Sequence, residues 1–321
     1  MQPFKKRILF TCLLLTAFQF ALQAQTDVDA IMMARNNFCI GGTYSHSSWD
    51  KYWEGTSKRN NLNIGKVSTN MYMLMGAYGI TDKLNFLFGV PYISTKASAG
   101  TLHNSRGIQD FSAWLKWMPL EKKLNSKSVF SAYGLAGFST PLSNYQADYL
   151  PLTLGLHSTT ASLRLMADYQ NRDFFATASG TYQYRNNIHI DRTSYYTTEM
   201  HLTNEVEMPD MASYNVRAGI RTFRIIAEVF YQQNITLGGF DIRRNDMPFP
   251  SNKMNANIAG AHIKYVFKKL PALSLEAGGS YVLHGRNVGQ ATEFNGSVFY
   301  IIPFSHAKVN SSHSCKLCGL R

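Results

Sequence analysis

Apolar and polar residues alternate with period two in about a dozen segments, and this constrains the 321-residue chain more than any other feature. In 160–170, Ala161, Leu163, Leu165, Ala167 and Tyr169 share one face, and Ser162, Arg164, Met166, Asp168 and Gln170 share the other. In 174–185, Phe174, Ala176, Ala178, Gly180, Tyr182 and Tyr184 oppose Phe175, Thr177, Ser179, Thr181, Gln183 and Arg185. Successive side chains of a strand point to opposite faces, whereas helical spacing would mix these sets. The pattern predicts strands near 37–47, 67–80, 84–95, 109–118, 128–139, 159–170, 174–185, 211–222, 224–234, 253–267, 273–284 and 292–304. Three of them (37–47, 67–80 and 128–139) alternate poorly and are placed by their position in the series.

The connections alternate too. Those after odd strands are long (48–66, 96–108, 140–158, 186–210, 235–252, 285–291). Those after even strands are short, as at Thr81-Asp82-Lys83, Asn171-Arg172-Asp173 and Phe223, with modest links at 119–127 and 268–272. A soluble β-sandwich has no reason for such regularity. An outer-membrane barrel does, with short periplasmic turns and long extracellular loops. In lipid an unpaired backbone group costs several kcal/mol, so a sheet spans only by joining its edges. The expectation is an all-β, transmembrane, antiparallel up-and-down β-barrel of about twelve strands, with ten or fourteen allowed.

Composition agrees. Charged residues make up 16% and aromatics 13%, against about a quarter charged in soluble domains. The net charge is +12, but Lys5, Lys6 and Arg7 carry +3 of it, and Lys308, Lys316 and Arg321 another +3. The remaining +6 includes no basic run, which argues against nucleic acid. Residues 1–24 combine a basic start, an apolar stretch from Ile8 to Ala21 and a small residue, Ala24, before Gln25. That order reads as a signal peptide cleaved near Ala24 and Gln25. Residues 25–36 are then expected as a periplasmic lead and 37–304 as one barrel domain. The stretch 305–321 is expected as a disordered tail after the closing aromatic, Phe304. Tyr92, Trp114, Trp117, Tyr169, Tyr184, Tyr231, Tyr265 and Phe304 suit interfacial girdles.

Tyr78-Gly79-Ile80-Thr81-Asp82-Lys83-Leu84-Asn85 followed by Gly89-Val90-Pro91-Tyr92, then Gly107-Ile108-Gln109-Asp110-Phe111 and Lys116-Trp117, resembles the outer-membrane transporter family named for the meta-pathway of phenol degradation. The Ala-Gln signal ending and Ile31-Met32-Met33 are also similar to transporters of Bacteroidota. The resemblance implies a β-barrel and passage of small, aromatic or apolar molecules, and supplies no catalytic residues.

Charged residues on the faces expected to point inward are Lys116, Arg164, Asp168, Arg185, Arg217, Arg221, Glu228, Lys264 and Glu276. On the lipid face each would cost up to about 2–4 kcal/mol. They suit a solute path favouring anions, or a salt-bridged network that packs the lumen. Trp49, Tyr52 and Trp53 in the first long loop suit ring or sugar recognition, or packing of the loop on itself. Cys315 and Cys318 with His306 and His313 lack the scaffold a metal site needs, so neither metal nor cofactor is expected. His103-Asn104-Ser105 and His157-Ser158 hold hydrolase residue types, but neighbours on a strand face apart, and no enzyme is expected. The leading reading is an outer-membrane channel for small solutes. A closed structural or adhesive barrel is the alternative, with a hydrolase behind it. Expected partners are outer-membrane lipid, the barrel-assembly machinery and a small-molecule solute.

Overall fold

In the computed structural model, which describes residues 26–244 and 246–304, the alternating segments become twelve long strands. They are β1 (Asn37–Trp49), β2 (Val67–Thr81), β3 (Leu84–Ala97), β4 (Asp110–Lys123), β5 (Ser128–Pro141), β6 (Thr160–Asn171), β7 (Phe174–Arg185), β8 (Asp210–Arg221), β9 (Ile225–Leu237), β10 (Asn255–Val266), β11 (Leu273–Arg286) and β12 (Thr292–Pro303). Each pairs antiparallel with its sequence neighbours, and β1 also pairs with β12 from Asn37↔Pro303 to Ser48↔Thr292. The sheet therefore closes on itself, and each of the twelve long strands is paired on both sides. A further short strand, Ser105–Ile108, pairs with the distal half of β3 just before β4 begins.

Connections at one end are short, as between β6 and β7, where Arg172 takes a positive φ of 52°. A two-residue hairpin turn needs that left-handed conformation. Those at the other end are long, except 287–291. The long loops carry structure of their own, including a hairpin of Lys51–Glu54 with Ser57–Asn60. Residues 147, 188, 190, 195, 206, 208 and 249 bury a shared apolar cluster drawn from three loops.

Exposure separates the two faces of the wall. On β6, Leu163 and Leu165 are 66% and 76% exposed, while Ser162, Met166 and Asp168 are 7%, 3% and 5%. Phe174, Val216, Val229, Ile263 and Phe294 continue the bare apolar band around the barrel. Water would penalise such a surface, and a bilayer requires it.

The three weakly alternating segments are full strands. In β2 the pattern is blurred because Met71, Met73 and Met75 oppose the exposed Tyr72 and Leu74, and in β1 and β5 because glycines stand where inward aromatics need room. A Cβ on Gly41 would lie 2.2 Å from the Phe299 ring, and one on Gly137 would lie 2.6 Å from the Trp114 indole. Trp114 itself corrects the girdle assignment. It shares its face with Lys116 and packs inward against two buried clusters, whereas Trp117 is 56% exposed on the outer face. The signal segment, the metal reading at Cys315 and Cys318, and the tail 305–321 lie outside the described residues.

Candidate functional site in the barrel lumen

Residues 26–36 of the lead enter the barrel at the short-turn end. Asn36 donates its N–H to Gly79 O and accepts from Phe304 N–H, and Arg35 N–H bonds Asp82 Oδ1. From there the chain runs inward along the lumen. Asn85 Nδ2 donates to Met33 O at 2.9 Å, and Tyr133 OH donates to Ala30 O at 2.9 Å. Met33 packs with Ala77, Leu87, Phe299 and Ile301, Ala30 with Met118, Leu135 and Met166, and Ile31 with Phe175 and Ile226. The physical reason is complementarity: the wall offers apolar patches and donors that would otherwise be buried without partners.

Charge completes the fit. Lys116, fully buried on β4, donates to Asp29 Oδ1 at 3.0 Å, Asp29 O at 2.6 Å and Thr26 O at 3.1 Å. Arg164 on β6 reaches Asp27 Oδ2 at 3.0 Å and Asp27 O at 2.8 Å, and donates through Nε to Thr181. Its guanidinium lies 4.9 Å from the Trp114 ring centre, within cation–π range.

The other inward charges pair across the wall. Arg217 on β8 meets Glu228 on β9 at 2.5 Å, and Arg221 meets Asp168 at 3.1 Å while stacking 4.0 Å over Phe175. Lys264 on β10 stands 3.7 Å from Glu276 on β11. His262, which sequence reasoning left single, sits between Glu228 and Glu276 at 3.9 and 3.8 Å. Arg185 lies apart at the loop end, its backbone N–H bonded to Asp210 Oδ1. Eight of the nine inward charges thus have charged partners in the lumen, Lys116 and Arg164 in Asp29 and Asp27, two residues that sequence reasoning did not single out. Beside the lead remains a cavity of about 80 Å³, bordered by Asp29, Ile31, Arg217, Glu228 and Glu276. An apolar cavity of about 150 Å³ takes up benzene, so the space left here is too small for an aromatic ring.

The loop end is packed differently. Trp53 is buried and packs, tilted, against His284 at 5.8 Å, and Trp49 and Tyr52 pack on each other at 6.3 Å. These rings hold loops together. Asn287 joins three loops by accepting from Gly55 N–H and Ile242 N–H and donating to Asp241 and Lys253 O. Asp241 pairs with Arg286, and that hydrogen bonding, with help from Asn287, holds its carboxyl down at about 2. Of the hydrolase residue types, Ser158 gives its hydroxyl to Asn186 O and the His157 ring lies edge-on to Tyr145. They do not pair with each other. His103 and Ser105 border an open groove of about 470 Å³ with Tyr145 and Tyr149.

A family described by the MetA pathway of phenol degradation matches residues 61–296. An outer membrane channel of Pseudomonas putida F1 is 13% identical, with a TM-score of 0.67 over 87% of this chain and 100% of its own. The translocator domain of the autotransporter NalP from Neisseria meningitidis is 10% identical, with a TM-score of 0.45 over 84% and 89%. A mutant of TodX, a monoaromatic hydrocarbon channel, is 12% identical, with a TM-score of 0.42 over 85% and 91%. No curated protein matches the sequence. The likeness to the first of these establishes the fold.

Proposed function

Because the chain belongs to the family described by the MetA pathway of phenol degradation, we propose that this outer-membrane barrel is a passive channel for small, aromatic or apolar solutes. The observation that carries the reading is how the lumen is filled. The wall is closed and its outer face is apolar, and one segment, 26–36, occupies the space a solute would cross. A charged, packed lumen also favours the alternative of a closed structural or adhesive barrel. Two facts weigh for the channel. Among the described residues the filling comes from a single segment, and the wall strands continue around it unbroken.

The signal is proposed to be cleaved near Ala24 and Gln25, just before the segment that begins at Thr26. Outer-membrane lipid is the proposed partner of the apolar band, and the barrel-assembly machinery that of the strand ending at Phe304. The test is reconstitution into liposomes with swelling measured in phenol, benzyl alcohol and a sugar of similar size. The channel reading expects entry of the aromatic solutes above protein-free vesicles. Absence of entry for every solute, with the lead present or replaced, would establish the closed barrel.

A further inference from the structure

The contacts of the lead with the wall have the chemistry of a bound ligand. Among the described residues, the wall pairs Arg217, Arg221 and Lys264 with carboxylates of its own. The ion pairs of Lys116 and Arg164 are instead to Asp29 and Asp27 of the lead. Both cations lie beside aromatic faces, with Lys116 Nζ 5.8 Å from the Tyr133 ring centre and Arg164 over Trp114. The patch around them (Met118, Tyr133, Leu135 and Met166) is apolar and is covered by Ala30. A carboxylate next to an apolar body is therefore what this part of the wall binds.

We propose that Lys116 and Arg164, with Trp114 and Tyr133 beside them, form a binding site for a small carboxylate-bearing solute with an apolar or aromatic body, which Asp27 and Asp29 occupy as an intramolecular stand-in. This rests on the channel reading, in which the lead leaves the lumen for a solute to pass. Withdrawal of the lead strips a buried cation of its counterion, and an uncompensated buried charge is strongly unfavourable. An aromatic acid restores the charge balance and stacks on the guanidinium and indole, and a neutral phenol supplies only the ring. Lead and solute exclude each other, so the solute shifts the population toward the displaced lead. A tethered competitor acts at an effective concentration in the millimolar range, which masks the site in the intact chain.

The test is isothermal titration of sodium benzoate into the detergent-solubilised protein, its D27N/D29N variant, and that variant carrying K116M or R164Q in addition. Benzoate is expected to bind D27N/D29N about tenfold or more tightly than the unaltered chain. Either added substitution should remove most of that gain, and benzyl alcohol, which has the ring without the charge, should not reproduce it. Equal benzoate affinity with and without Asp27 and Asp29 overturns the proposal. So does affinity that survives both K116M and R164Q, or affinity matched by benzyl alcohol. Chloride conductance of the same preparations separates the two readings. Binding without conductance keeps the site and removes the channel, and conductance without binding does the reverse.

Discussion

The two ends of the barrel are packed by different physics. From the short-turn end one segment runs into the lumen, held by Lys116, Arg164, Tyr133 and Asn85, which bond its carboxylates and carbonyls. At the loop end the packing is distributed over several loops, with an apolar cluster around Val206 and Phe249 and a polar junction at Asn287. The first depends on a few buried charges and can change without moving the wall. The second is a small core, and loosening it requires several loops to part. A gate is therefore expected at the end where a single peptide does the filling, while the capped end should respond to mutation as packed structure does.

The largest expected effect is at Lys116. Removing one partner of a buried pair costs about 3–5 kcal/mol, so Lys116→Met should release the lead while the apolar outer face holds the barrel in the membrane. Limited proteolysis in detergent should cut within 26–36 in the variant and spare it in the unaltered chain. Equal protection in both would mean that Lys116 does not hold the lead.

Phe249→Ala should act at the other end. Large-to-small changes in a packed cluster cost about 3–5 kcal/mol, and this ring, stacked on Tyr195 at 5.3 Å, lies at the edge of that range. Protease sensitivity should rise in 186–209 and 238–254, with the lead still protected. Exposure of the lead as well would show that the two ends are coupled.

How far the sequence carried the fold is clear from particular strands. On β6 and β7 the period-two pattern marks both faces, because lipid on one side and lumen on the other demand opposite residues. β1 and β5 were placed by position in the series, since Gly41 and Gly137 exchange their own pattern for space beside Phe299 and Trp114. The inward parity of Lys116, Arg164 and Asp168 was readable for the same reason as the strands. Their partners were not. Thr26-Asp27-Val28-Asp29-Ala30 reads as a short polar lead, and only a wall assembled from distant strands makes Asp29 the counterion of Lys116, 87 positions away. The alternation of acid and apolar residues in that stretch was the one available signal, and it matches the wall without joining the sheet.

The smallest expected effect concerns the loop junction. The Asp241 carboxyl sits at about 2, held there chiefly by hydrogen bonds from Arg286. A depressed carboxylate contributes fully above its unfolded value of about 3.9 and loses that contribution as pH falls through its folded value. Trp53, which packs beside Gly285, should therefore report a fluorescence step near pH 2 that Asp241→Asn abolishes. With an exposed pair the change in loop stability stays below about 1 kcal/mol. A step near pH 4 would show that Arg286 does not hold the carboxylate.

The central claim, that the wall is a channel closed by its own lead, is tested most directly by planar-bilayer conductance. The protein would be compared with a variant whose residues 26–34 are replaced by an equal length of glycine and serine. That change removes Asp27, Asp29, Ala30, Ile31 and Met33 and keeps the Asn36 contacts with Gly79 and Phe304. The unaltered chain should show low or brief conductance and the variant a sustained one, several-fold larger. Equal currents from the two, whether both open or both closed, would contradict the account.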